Sequence, residues 1–383
     1  MEGEIILSTS KLKLDLPPSC IKFIPLHREY CIIGTYFLQP QKQNPEEESK
    51  HEGGEAEEQK RNGSLLLVKI VEDHLVLIST LATDFAILDL LFDHTALKNK
   101  FCTANSTGSI GFYEIILEDT VPTRIRQVSL CQLWDPSVLV LSLSSQNQTG
   151  ARLLGVTLSN SEVAVCRVNE EFTEASFPLT IASHEGLEAW VTAFGHHTDN
   201  QTLFSGGDDA ALQMITLPET TLADRHEDQS EDTPSAVVAW KNRKIHGAGV
   251  TAILVLSESL LLTGSYDDHV RLIDISSRPM IPAQTHLGGG VWRLIPLEPI
   301  DRMKDGASTT FTLLACCMHA GSRIIRVTTT DPAGIEILAR FEENESMNYG
   351  GDVQESLDGI ESDEHTIVSI SFYDKMAFLW KAP

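Results

Sequence analysis

Several groups of residues in this chain of 383 could do chemistry. Leu287-Gly-Gly-Gly-Val-Trp-Arg293 joins three glycines to an aromatic and a guanidinium. Gly288, Gly289 and Gly290 would either let the backbone approach a ligand and present N–H groups to an anion or oxyanion, or form a plain flexible turn. Trp292 and Arg293 suit a cation and a carboxylate, respectively. Ala315-Cys-Cys-Met-His319 places an imidazole at the turn position where other parts of the chain carry Asp. His319 is then either a general base or a turn histidine hydrogen-bonded in place of that acid. Trp190, Tyr266, Tyr349 and Tyr373 offer further aromatic faces, and Asp352 and Asp374 further carboxylates.

The signatures of the commoner enzyme classes are missing. There is no Gly-x-Ser-x-Gly elbow, phosphate-binding Walker loop, HExxH or dinucleotide fingerprint. The seven cysteines form no CxxC pair and sit mostly in apolar runs, which predicts buried reduced thiols rather than a zinc site. His196-His197 reads as solvated surface. A net charge of −25 disfavours nucleic acid and anionic membranes and favours a basic protein surface or a cationic group as ligand. No run approaches 18 apolar residues, and Met1–Thr9 joins no basic region to a hydrophobic one, so a cytoplasmic protein is expected.

The elements that must position these residues recur. Leu260-Leu-Leu-Thr-Gly-Ser-Tyr-Asp-Asp-His-Val-Arg-Leu-Ile-Asp274 reads as a strand, an Asp-containing turn and a second strand. The same layout returns at Leu203–Leu217, Phe101–Ile115, Leu153–Val168, Leu313–Val327 and Ile367–Trp380, and in split form at Tyr30–Gly34 with Ser64–Ile70. The intervals are about 50 residues, slightly above the spacing of WD-type blades. Acidic insertions at 41–62, 219–235 and 342–364 account for the excess; the first is expected to be disordered. Seven such units predict an all-β, seven-bladed WD-repeat propeller occupying 1–383 as one domain. The last repeat supplies three strands, so Ile5–Leu16 is expected to add the fourth and close the ring. Asp209 with His184, and Asp267 with His246, are expected to pair as blade scaffolding. Leu133-Trp134-Asp135 spells a WD signature without the turn and is discounted.

Glu188-Ala-Trp190, Ser205-Gly-Gly-Asp-Asp209, Thr263-Gly-Ser-Tyr-Asp267, Gly288-Gly-Gly-Val-Trp-Arg293, Ala315-Cys-Cys-Met-His319, Tyr349-Gly350 and Ser371-Phe-Tyr-Asp374 occur in that order. Together they resemble the WD-repeat diphthine methylesterase family, also catalogued as diphthine methyltransferase. The resemblance covers roughly residues 100 to 383. It implies a carboxylic-ester hydrolase of diphthamide biosynthesis that removes the methyl ester of methylated diphthine on translation elongation factor 2, with no cofactor, acting as a monomer. Methylated diphthine carries a trimethylammonium group and an ester. Trp190, Tyr266, Trp292, Tyr349 and Tyr373 would hold the first. Gly288–Gly290 and Arg293 would serve the second, with His319 activating water beside Asp352 or Asp374. Where relatives often carry a His before the Tyr-Gly pair, this chain has Asn344. The competing class is a non-catalytic WD-repeat scaffold that docks a protein partner.

Overall fold

The computed structural model describes residues 3–39, 60–93, 99–148, 151–176, 179–195, 201–218, 236–298, 310–355 and 364–383. These form seven sheets, antiparallel except for one short parallel edge strand, and, among the described residues, no helix. Short aliphatic and β-branched runs bounded by Gly, Asp and Ser turns make strands, and each run is too brief to bury a face alone. In the fifth blade the inner strand is Val250–Val255, followed outward by Leu260–Ser265, His269–Asp274 and Met280–His286. The inner strands of the others are Pro18–Ile24, Ile87–Phe92, Val140–Gln148, Ala189–Phe194, Arg293–Pro296 and Gly350–Val353, in blades one to four, six and seven.

Packing closes the ring. Each of seven apolar clusters joins two adjacent blades. Phe101 stacks on Tyr113 between blades one and two, and Phe341 on Trp380 between six and seven. The cluster between blades seven and one unites Leu14, Ile21 and Ile33 with Val368, Ile370 and Leu379. Burying each such aliphatic side chain is worth roughly 1.5–3 kcal/mol, so adjacent blades hold one another in register.

The amino-terminal segment makes two strands instead of one over Ile5–Leu16. Glu4–Ile6 runs parallel to Gly334–Phe341 on the sixth blade. Ser10–Lys13 runs antiparallel to Met376–Ala382 as the outermost strand of the seventh. Residues 7–9 carry the chain from one sheet edge to the next. The expected acidic insertion at 342–364 also needs correction, because Gly350–Val353 inside it is the inner strand of the seventh blade. Gly-Gly-Asp-Val has no apolar alternation, and its identity as a strand comes from pairing with Ile367–Ile370. The segment 219–235, most of 41–62 and His196-His197 lie outside the described residues.

All seven cysteines are free, and six are buried, as expected of thiols in apolar strands. Burial raises the six buried thiols; that of Cys20, for example, is pushed up to about 12. Trp134 packs in the core between blades two and three, in a connecting loop rather than at a strand end.

Candidate functional site at the mouth of the propeller channel

In each blade the inner strand begins beside the end of the second strand: Val250 faces Ser265 and Arg293 faces Cys316. The starts of inner strands and the turns between second and third strands therefore share one face. That face collects the aromatics. Trp190 and Trp292 ring centroids are 5.3 Å apart, and Tyr266 lies 6.2 and 5.9 Å from them. Trp292 continues to Tyr349 at 5.2 Å, Tyr349 to Phe372 at 5.5 Å, and Phe372 to Tyr373 at 5.0 Å and Tyr36 at 6.1 Å. All but Tyr373 are half-buried; Tyr373 is 69% exposed. The five sequence-predicted aromatics thus form one wall spanning blades four to seven.

Acids flank this wall. The Trp190 indole N–H donates to Asp208 Oδ1 at 3.3 Å. Burial, with the negative fields of Tyr349, Asp208 and Glu188, pushes the Tyr266 hydroxyl well above its ordinary range, against the opposing charge of Arg293. A π-rich surface with adjacent carboxylates attracts a cation that water hydrates poorly, such as a quaternary ammonium.

Arg293 opens the inner strand of the sixth blade, with its guanidinium 5.6 Å from the Trp292 ring centroid. It reaches across the channel to Asp89 of the second blade at 3.4 Å. Deeper along the inner strands, Asp352 of the seventh blade meets Lys22 of the first at 3.2 Å and accepts the Phe23 N–H at 2.7 Å. Burial alone would lower the Lys22 ammonium, but Asp352 and Asp89 outweigh it and raise it. Asp352 is thereby spent on clasping the last blade to the first.

Ser205, His184 and Asp209 have the connectivity of a hydrolytic triad. His184 Nδ1 lies 2.7 Å from Asp209, and Nε2 lies 3.2 Å from the Ser205 hydroxyl. Ser205 and His184 are both 0% exposed, so no acyl group can reach them. Burial disfavours the Asp209 charge, but His184, Arg243 and Lys241 hold the carboxyl well below the usual range. This is the scaffolding pair expected from the sequence. The fifth blade departs from it. Asp267 takes Arg271 at 2.8 Å and the Gly247 N–H at 2.6 Å, while His246 Nε2 meets the Thr263 hydroxyl at 2.8 Å. Arg271 has captured the acid, so the expected Asp267–His246 bond is not made.

His319 lies in the corresponding turn of the sixth blade but is exposed. Where Asp209 and Asp267 are each followed by a left-handed residue, Ala210 and Asp268, this turn places its left-handed residues at Met318 and Gly321. Among the described residues no hydrogen bond or ion pair joins His319 to Asp352, Asp374 or Arg293. Asp374 accepts the Glu345 N–H at 3.2 Å, and its backbone carbonyl accepts Lys13. Gly288, at φ +92°, is exposed, whereas Gly289 and Gly290 are buried. A Cβ on Gly289 would strike the Cys317 carbonyl, and one on Gly290 would stand 2.8 Å from Met318 Sδ. These two glycines serve close packing against the turn. Asn344 donates to the carbonyls of Ser346 and Met318, a structural tie.

Sequence reasoning passed over Asp89, Lys22, Asp208, Glu188, Phe372 and Tyr36 as site residues. A lone charge inside Ile87-Leu-Asp-Leu-Leu-Phe92 or Ile21-Lys-Phe23 was the available signal for the first two. A cleft of about 800 Å³ lies elsewhere, beside Lys13–Leu16 and Arg61–Ser64, and contains none of the predicted site residues.

The fold and the channel mouth define a seven-bladed β-propeller of WD40 architecture. Solved structures agree on the fold: the WD40 β-propeller domain of Doa1 matches with a TM-score of 0.59 over 97% of this chain and 96% of that one, at 12% identity. A chain of the mitotic checkpoint complex matches at 0.62, covering 98% and 92%, with 11% identity. In sequence, the chain is 28% identical over 373 residues to the diphthine methyltransferase of Schizosaccharomyces pombe, covering 96% of this chain and 95% of the relative. It is 27% identical to the diphthine methyltransferase of Saccharomyces cerevisiae, covering 96% of each, and 26% identical to the human one, covering 81% of this chain and 66% of the relative. No protein-family model matches the chain.

Proposed function

We propose that this protein acts in diphthamide biosynthesis by hydrolysing the methyl ester of methylated diphthine on translation elongation factor 2, giving diphthine and methanol. The full-length similarity to proteins named diphthine methyltransferase supports the pathway. One observation carries the chemistry: an aromatic wall flanked by Asp208 and Glu188 stands directly against a guanidinium. The Trp190, Tyr266 and Trp292 faces take the trimethylammonium group, and Arg293 donates to the ester carbonyl next to it. Water adds to the carbonyl carbon, and Arg293 stabilises the oxygen as it gains charge. The carbon–methoxy bond then breaks, the methoxy oxygen takes a proton as methanol, and the carboxylate remains. His319 is the proposed base that accepts the proton of the attacking water. Hydrolysis on this scheme needs no cofactor, and the protein works as a cytoplasmic monomer on its protein substrate.

The reading is tested in heavy-oxygen water. Ester hydrolysis places the heavy oxygen in the diphthine carboxylate and releases unlabelled methanol. Methyl loss that needs an added acceptor and leaves the carboxylate unlabelled would overturn it. A second reading, a scaffold that only docks a protein, draws on the exposed Tyr373 and the 44% exposed Leu187 on the same rim. Tight binding without methanol release would select it.

A further inference from the structure

Asp89 is the one charged group on the apolar strand Ile87–Phe92 of the second blade. A carboxylate placed there must be compensated by partners that fix its direction. Its Oδ2 accepts the Leu143 N–H of the third blade at 3.1 Å and lies 3.4 Å from an Arg293 terminal nitrogen, while Oδ1 takes the Leu90 N–H at 3.0 Å. Side-chain exposures of 14% for Asp89 and 22% for Arg293 shield the pair from water. The guanidinium carries five N–H donors. One edge faces Asp89, and a second nitrogen stands 3.5 Å from the Trp292 carbonyl. Among the described residues the guanidinium makes no other side-chain hydrogen bond or ion pair, and it lies 5.6 Å from the Trp292 ring centroid. Arg293 belongs to the sixth blade and Asp89 to the second, so the contact spans the channel and does not follow from blade-to-blade packing.

We propose that Asp89 is a positioning residue: it holds the Arg293 guanidinium at the channel mouth in the orientation that meets the ester carbonyl. This rests on the esterase reading for its kinetic consequence, though the orientation itself does not. Asp352 is directed elsewhere, to Lys22 and the Phe23 N–H, and among the described residues no ion pair joins it to Arg293. Asp89→Asn keeps the shape and an acceptor for the Leu143 N–H but removes the charge that orients the guanidinium.

Two measurements test the proposal on the full chain. In ester hydrolysis, Asp89→Asn lowers kcat by about ten- to a hundredfold, the scale of a misplaced catalytic group, with KM nearly unchanged. In an Arg293→Ala background the same substitution has no further effect, because Asp89 acts only through Arg293. Equal losses in both backgrounds would mean a merely structural role and overturn the proposal. The second readout needs no activity. The side-chain N–H signals of Arg293 in nitrogen-resolved NMR are restricted and protected in the wild type and averaged in Asp89→Asn; unchanged signals would overturn it. A wild type that releases no methanol but shows this NMR difference leaves the positioning claim standing and removes the esterase reading alone.

Discussion

Acidification reads out the environment of one buried histidine in the fifth blade, beneath the turn that presents Tyr266. His246 is 4% exposed. Burial chiefly, with the charge of Arg271, holds its imidazolium down to about 3 against the opposing pull of Asp267. The folded protein therefore keeps this ring neutral at pH values where the unfolded chain, at about 6.5, already binds a proton. Because the unfolded state holds more protons between these values, the contribution is intact above about pH 6.5 and is lost progressively as pH falls toward 3. At pH 5 the loss from this residue is about 2 kcal/mol, a substantial part of a typical folding free energy. His246→Gln keeps a partner for Thr263, which His246 meets at 2.8 Å, and removes the titration. Urea unfolding at pH 7 and pH 5 should show the wild type losing about 2 kcal/mol more than His246→Gln over that interval. Equal losses would show that His246 is not held neutral, and the packing described around Arg271 and Asp267 would be wrong.

Trp292→Ala removes the centre of the aromatic wall and should raise KM about tenfold, whereas Trp292→Phe should keep most of the affinity, since a cation–π contact is worth roughly 0.5–2 kcal/mol. His319→Ala should lower kcat about a hundredfold or more if the imidazole accepts the water proton, with the melting temperature unchanged because the side chain is exposed. Leu14→Ala opens the cluster between the seventh and first blades and should cost about 3 kcal/mol in denaturant unfolding; a cost near zero would show that this joint does not hold the ring.

Much of the architecture is legible because each blade repeats a local device. An apolar strand ends at a Gly, Ser or Asn, an acidic or polar turn follows, and the chain reverses. The aromatic wall is legible for the same reason. Trp190, Trp292 and Tyr349 sit at starts of inner strands and Tyr266 and Tyr373 in turns, so the repeat register alone puts them on one face. Non-local pairings are where sequence reading falls short. Nothing in Ile87–Phe92 says that Asp89 meets Arg293 across the channel, because the register sets the level of a residue and not its opposite number. Arg271 on the third strand takes Asp267 from His246 of the preceding loop, a competition between a near and a more distant partner that spacing cannot rank. Gly350–Val353 becomes a strand by virtue of its neighbour, and Gly289 and Gly290 are explained by the Cys317–Ala320 turn packed on them, which is visible only in the folded chain.

The central claim is that the channel mouth removes an ester methyl with water alone. Mass spectrometry of elongation factor 2 bearing methylated diphthine, incubated with the pure protein and no added cofactor, tests it most directly. The account predicts loss of the ester methyl with a matching yield of methanol, slowed about a hundred- to a thousandfold in Arg293→Ala. An unchanged mass with the wild-type protein bound to its partner would contradict it.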